Sequence, residues 1–270
     1  MAADPKQHLA ELYSRVAVSF AGGAPRFACA GRRLVEVGRV GRGDVVLDVA
    51  TGRGAVLLPA AECVGPSGRV VGIDIAPGMI EQTRLAIASQ HVDWAEVHLM
   101  DADHLEFADA SFTHVLCSFA VFFFPDVPRV LAEMRRVLRH DGVVGFAFER
   151  GVDPRWAWYE ELLRTYGALE DTPSTPGSGA IRGQGALVAE LAAAGFGQPR
   201  ELVEDVDLGY PDPETWWASL WTHGSRRPLE RLSAERLDQL QSACLRRARE
   251  MTTPEGLPER HRLVYVTASA

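Results

Sequence analysis

Val45-Val46-Leu47-Asp48-Val49-Ala50-Thr51-Gly52-Arg53-Gly54-Ala55-Val56-Leu57-Leu58-Pro59 is an apolar, β-branched run that meets a carboxylate, turns through two glycines and becomes an apolar helical pattern. That succession predicts a strand, a tight ligand-facing loop and a helix, the opening of a nucleoside-binding α/β sheet. Gly52 permits the positive φ of a sharp strand-to-helix turn, and Gly54 lets the first turn of the helix approach a ligand with no side chain between. A dinucleotide site would need a third glycine where Leu57 stands, and the carboxylate of Asp48 would repel a pyrophosphate. No Gly-Lys-Ser/Thr follows Gly52, so a phosphate loop is excluded as well. The expected ligand is a nucleoside without phosphates, and a carboxylate here suits a cationic or amino-bearing one.

Working outward, Gly72-Ile73-Asp74 ends a second strand 26 residues after Asp48, Asp101-Ala102 follows a third, and Ser111 to Gly142 holds a fourth strand and a helix. Together with Asp48 to Gly54, these stretches resemble the motifs of the class I S-adenosylmethionine-dependent methyltransferases, most like the small-molecule branch that includes the quinone methyltransferases. The resemblance spans about the first half of the chain. It implies a doubly wound α/β sheet of the Rossmann-like kind, seven strands in the order 3-2-1-4-5-7-6 with the last antiparallel, and S-adenosylmethionine as cofactor. It also implies that Asp48, Ala50, Thr51, Gly52 and Gly54 form the cofactor loop and that Asp74 binds the ribose hydroxyls. Ile75 and Met79 would wall the adenine, Asp101 and Ala102 would read its edge, and Ser118 would border the cofactor. A carboxylate at Asp74 can accept both hydrogen bonds of a ribose diol, although a helix cap is the plainer use of the same residue.

Composition narrows the partners. A formal net charge of −8 argues against nucleic acid, which calls for a basic face. Lys6 is the only lysine, so the cationic side chains are otherwise arginines. Cys29, Cys63, Cys117 and Cys244 lie far apart with no zinc or C-x-x-C spacing, and read as reduced, mostly buried thiols of a cytoplasmic protein. The opening Met1 to Lys6 shows no apolar signal core. The longest apolar run, Val115 to Phe124, is interrupted by Ser118 and falls short of the ~20 residues of a membrane helix. Asp101 and Asp103 lack a third hard ligand at useful spacing, so no metal is expected. A homo-oligomer is left open.

Along the chain, the pattern divides into an N-terminal helical cap (1–43), a cofactor-binding core (44–150), a lid (151–182), a return to the core (183–208), a second lid (209–260) and a last strand (261–270). Leu9, Leu12, Tyr13, Val16 and Phe20 share one face of the first helix, broken at Gly22-Gly23; Tyr13 either closes the site or belongs to that apolar face. A helix over Val130 to Arg139 should end at Gly142, with Arg135, Arg136, Arg139 and His140 on its dipole. Strands are expected over Val143 to Phe148, Glu201 to Asp207 and Arg262 to Ala268, and a helix over Gly185 to Phe196. Asp171 to Gly185 reads as a loose surface connection. Leu237 to Met251 reads as an arginine-rich amphipathic helix with a solvated face.

Methyl transfer from a sulfonium asks mainly for alignment, worth up to about 7–11 kcal/mol. Phe119 and Phe123, with Trp217 and Trp221 on the second lid, are candidates to line a pocket for a small, largely apolar acceptor of natural-product or quinone-like kind; the tryptophans could equally hold the lid together. For a hydroxyl acceptor, His223, then Glu149 and Tyr13, are the candidate bases. Glu149 and Arg150 could instead be consumed in salt bridges. The same cofactor motifs would also serve a protein that catalyses a non-methylating cyclisation or rearrangement, since fold does not settle function.

Overall fold

A computed structural model describes residues 5–20, 25–169 and 185–270. Helices α1 (Pro5–Val16) and α2 (Pro25–Val37) precede β1 (Val45–Val49), α3 (Leu57–Val64), β2 (Arg69–Asp74), α4 (Pro77–Ser89) and β3 (Ala95–Leu99). Then come β4 (Phe112–Ser118), α5 (Val127–Val137), β5 (Leu138–Glu149), α6 (Ala157–Thr165), α7 (Ala186–Ala193) and β6 (Gly197–Tyr210). Helices α8 (Pro213–Ser219), α9 (Arg226–Leu229) and α10 (Ala234–Met251) lead into β7 (Leu257–Ser269). Among the described residues the seven strands form one sheet in the order β3-β2-β1-β4-β5-β7-β6. Strand β7 runs antiparallel to both its neighbours, as the resemblance implies.

Parallel strands buried on both faces read as continuous apolar runs, and Val46, Leu47, Val49, Val70, Val71, Val115 and Leu116 are each fully buried. On one face α5 and α7 bring Val130, Leu131, Met134 and Leu191 against the sheet. On the other, Leu34 of α2 and Leu57, Ala60 and Ala61 of α3 cover it. The register sets Asp48 of β1 opposite Gly72 of β2 and Leu116 of β4, so the carboxyl ends of these strands share one edge.

The cap lies over that edge. Helix α1 docks on the start of α4, where the Gly78 N–H donates to Ser14 Oγ at 3.2 Å. Helix α2 runs so close to the loop after β1 that a Cβ on Gly31 would stand 2.1 Å from the Ala55 carbonyl oxygen.

Several boundaries differ from the sequence reading. Helix α5 stops at Val137, because Leu138 is already extended and pairs with Phe112; Arg139, His140 and Gly142 therefore belong to β5. Arg135 and Arg136 stand in the last turn of the helix as expected, and Arg136 also bonds Glu133 and the Leu105 and Phe107 carbonyls, tying α5 to the segment before β4. Strands β6 and β7 pair from Gly197 and Ser269 out to Tyr210 and Leu257, which carries both well past the expected ends. Helix α7 is shorter than the expected Gly185 to Phe196.

Helix α10 is amphipathic as expected, with a solvated arginine-rich face and a buried apolar stripe. Its Leu240, Ala243, Cys244 and Ala248 are buried. They join Trp156, Leu163, Trp216, Trp217 and Leu220 in a core of their own beside the sheet. Of the cysteines, Cys117 and Cys244 are buried while Cys63 is exposed and Cys29 half-buried. The stretch 171–184 and the Gly22-Gly23 break lie outside the described residues. Among the described residues no helix is long and apolar enough to cross a membrane.

Candidate active site

The loop after β1 is built by its own carboxylates. Asp48 Oδ2 accepts from Thr51 Oγ1 at 2.6 Å and from the Leu57 N–H at 3.0 Å, which bends the chain back onto the start of α3. Gly52 and Gly54 take φ of 54° and 82°, a region open to glycine at little cost. Helix α3 begins only at Leu57, so Gly54 serves the turn, not the helix's first turn as its spacing suggests. The Gly52 N–H donates to Asp74 Oδ2 and the Ala76 N–H to Asp74 Oδ1, each at 2.9 Å. Asp74 thus joins the loop to β2 and stands two residues before the N-cap of α4, which is Ala76. Arg53 Nη1 donates to the Val18 carbonyl at 2.9 Å and clamps the segment after α1.

Above this edge opens a cavity of about 910 Å³. Asp48, Ala50, Thr51, Gly52, Gly54, Asp74, Ile75, Met79, Asp101, Ala102 and Ser118 all line it, as do Phe119, Phe123, Tyr13, Glu149 and His223. Two non-glycine residues at its floor, Ala50 and Phe119, hold φ of 57° and 56° at the ends of β1 and β4, a strained state that tends to collect at ligand sites.

Two of the expected acceptor residues are elsewhere. Trp217 is buried in the second core, formed with α6 and α10, and Trp221 packs against it; neither lines the cavity. An aromatic amphipathic pattern reveals an apolar face but not what that face meets. The walls are instead phenylalanines and Tyr13: Phe27 sits 4.8 Å edge-on to Phe119, and Tyr13 5.8 Å edge-on to Phe123 and to Phe20. Arg150 points away, its guanidinium forked onto both oxygens of Glu201 at 2.8 Å.

Burial holds the Asp48 carboxyl up to about 7, against the hydrogen bonds of Thr51 and Leu57 and with the help of the Asp74 charge. Asp74 is raised by burial too. The Ser118 hydroxyl is buried with no hydrogen-bond partner among the described residues. Two carboxylates short of countercharge, beside an unmatched hydroxyl, fit a ligand that is cationic and rich in hydrogen-bonding groups. Asp101 accepts from Lys6 Nζ at 2.8 Å, so α1 also reaches the rim.

Tyr13 is pushed up to about 12 by burial. Burial, and then the Arg26 charge, lower His223 to about 3. Burial would lower His261, but hydrogen bonds to Glu149 and Glu259 win and raise it to about 9. Glu149 Oε1 is 2.6 Å from His261 Nδ1. Arg26 and His261 escaped the sequence reading. The one available signal was a charge at position 26, in helical register with the buried Ala30 and Leu34 of α2.

Comparison with known proteins points the same way. Residues 46–142 match a family described as a methyltransferase domain. The nocamycin O-methyltransferase of Saccharothrix syringae is 36% identical over 231 residues, covering 81% of this chain and 80% of that one. The aklanonic acid methyltransferase of a Streptomyces species is 41% identical over 145 residues, 53% of this chain and 63% of that one. Among solved structures, the YcgJ protein of Bacillus subtilis shares the fold with a TM-score of 0.59 at 17% identity, covering 89% of this chain and 97% of that one.

Proposed function

The chain belongs to the class I S-adenosylmethionine-dependent methyltransferases, and on that premise we propose that it methylates an oxygen of a small, largely apolar metabolite held in the cavity above β1, β2 and β4. The observation that carries this reading is the continuity of the loop, its two carboxylates and the phenylalanine walls around one cavity. The relative covering most of this chain is named for O-methylation.

S-adenosylmethionine supplies, when bound, a methyl group already activated on a sulfonium. In this reading the chain's residues bind and align. Asp74 accepts the ribose hydroxyls, a role its two occupied oxygens still allow because each carboxylate oxygen takes more than one hydrogen bond. Asp48, Ala50, Thr51, Gly52 and Gly54 shape the loop around the cationic end, and Ser118 offers its unmatched hydroxyl there. Ile75, Met79 and Ala102 wall the base, and Asp101 turns from Lys6 to its amino group. Phe119 and Phe123, with Phe20 and Phe27, exclude water from the acceptor. Helices α6 and α8 to α10 form the lid that braces this end. A small-molecule partner, no nucleic acid and a cytoplasmic setting complete the reading, consistent with the net charge of −8. No observation favours the cyclisation alternative.

The test is incubation with methyl-deuterated S-adenosylmethionine and a metabolite extract of the source organism, followed by mass spectrometry. A labelled product is expected. Cofactor binding with an extract component altered but unlabelled would overturn methyl transfer.

A further inference from the structure

Several charged groups in the cavity belong to neither the loop nor the proposed cofactor contacts. Arg26, near the start of α2, lines it beside Phe27, His223 and Gly224. Its guanidinium carbon lies 4.7 Å from the Phe27 ring centre. Nη2 is 3.4 Å from His223 Nε2, which must accept because a guanidinium only donates. Among the described residues the nearest carboxylate oxygen, Glu149 Oε2, stops 3.5 Å from Nε, at the limit of a hydrogen bond. Glu149 is committed on its other oxygen to buried His261, whose Nε2 in turn is 3.3 Å from Glu259.

Protonated His261 and Arg26 thus balance Glu149 and Glu259, two charges against two. These groups and the Tyr210 hydroxyl, which also hydrogen-bonds Arg26, fix the guanidinium without engaging all five of its N–H donors. The other cations at the cavity are engaged: Lys6 with Asp101 and Asp103, Arg32 with Glu62, and Arg53 with the carbonyls of Val18 and Phe20. Close by, on α9, Arg227 keeps a buried Nε with no partner among the described residues, and its charge reaches the Tyr13 hydroxyl.

The same end of the cavity holds no effective base. Tyr13 stays protonated, His223 is too weakly basic to draw a proton from an alcohol, and Glu149 is engaged by His261 on one oxygen and faces Arg26 with the other. An acceptor that must lose a proton in the reaction is poorly served. One that arrives ionised needs no base and matches an unsaturated guanidinium in an apolar setting.

We propose that the acceptor is a carboxylic acid, bound as its carboxylate by Arg26 at the end of the cavity formed by Tyr13, His223 and Gly224, and that the product is its methyl ester. A carboxylate oxygen gives its lone pair to the methyl carbon as the carbon–sulfur bond breaks. Sulfur keeps that bonding pair and becomes a neutral thioether, and no proton moves. This rests on the methyl-transfer reading.

The experiment uses the full chain, S-adenosylmethionine tritiated in the methyl group and the same metabolite extract, with the labelled product then treated with dilute alkali. Esters release the label as volatile methanol, whereas ethers and carbon-bound methyls keep it. The expected result is alkali-labile label. With Arg26→Gln, transfer at a fixed sub-saturating extract concentration should fall on the order of ten- to a hundredfold. S-adenosylhomocysteine should bind this variant unchanged, which also reports its fold, and Arg26→Lys should recover part of the rate. Alkali-stable label, or full transfer by a folded Arg26→Gln, overturns the carboxylate assignment while leaving methyl transfer standing. Absence of any transferred label overturns both.

Discussion

Asp74 joins loop and strand through both carboxylate oxygens, so its loss removes a ligand contact and a brace together. Asp74→Ala should weaken S-adenosylmethionine binding well beyond tenfold by calorimetry, since hydrogen bonds to a charged group contribute about 1.5–3 kcal/mol each; near-normal affinity would count against the ribose role. Asp48 makes a pH prediction. Its carboxyl, held at about 7 without ligand, must ionise to face a cation, so affinity should drop as pH falls below about 7. The sign for stability is the reverse. Between the ordinary 3.8 and about 7 the folded chain holds a proton that the unfolded chain has lost, so ligand-free stability declines as pH rises through that window. Asp48→Asn should therefore raise the Tm of the ligand-free protein in mildly alkaline buffer while abolishing cofactor binding. His223→Gln should lower kcat by less than about tenfold, because a working base contributes about a hundredfold or more. The two aspartates were legible because each stands at the carboxyl end of a strand with a glycine within four residues, a local pattern. Arg26 and His223 are 197 positions apart and Glu149 and His261 are 112, so those pairs exist only once the chain has folded.

At the scale of elements, the proposed lid of α6 and α8 to α10 rests on a cluster of tryptophans: Trp216 lies 4.9 Å from Trp156, tilted, and 5.7 Å from Trp158, edge-on, ring to ring. Trp216→Ala should cost about 3–5 kcal/mol and raise hydrogen exchange in α6, α8 and α10 before it does so in the sheet. Uniform exchange across lid and sheet would mean that the lid is not a separate cooperative unit. Tryptophans were readable here on the second inserted stretch, and the Asp212 side chain caps α8 by accepting from the Thr215 N–H. What α8 and α10 would face was not readable, since an apolar stripe is satisfied equally by a ligand or by another helix. Helix α5 shows the opposite limit. It was expected from Val130, but its stripe of Val127, Val130, Leu131, Met134 and Val137 starts a turn earlier, and its end was set by Leu138 pairing across the sheet and not by the nearby glycine.

For the whole molecule, ligand binding and stability are one equilibrium. S-adenosylhomocysteine at about a hundred times its Kd should add about 2.7 kcal/mol, a Tm rise of about 5–10 °C for a chain of this size, with NADH giving none. A rise with NADH alone would contradict the nucleoside assignment. The overall fold was legible because strands and helices alternate and because the motifs fell in sequence along the first half, and the strand order came with the family resemblance those motifs carry. The final two strands were legible only in part: β6 carries alternating exposed and half-buried residues, a weaker signal than the buried runs of β1 and β2. Their arrangement bears on how the molecule is made. Strand β6 touches the rest of the sheet only through β7, which slots between β5 and β6. Until residues 257–269 arrive, β5 and β6 both offer unpaired edges, the condition under which nascent chains pair with one another. Closure of the sheet is thus a late event on synthesis, and the interval before it is when this chain depends most on being kept apart from its copies.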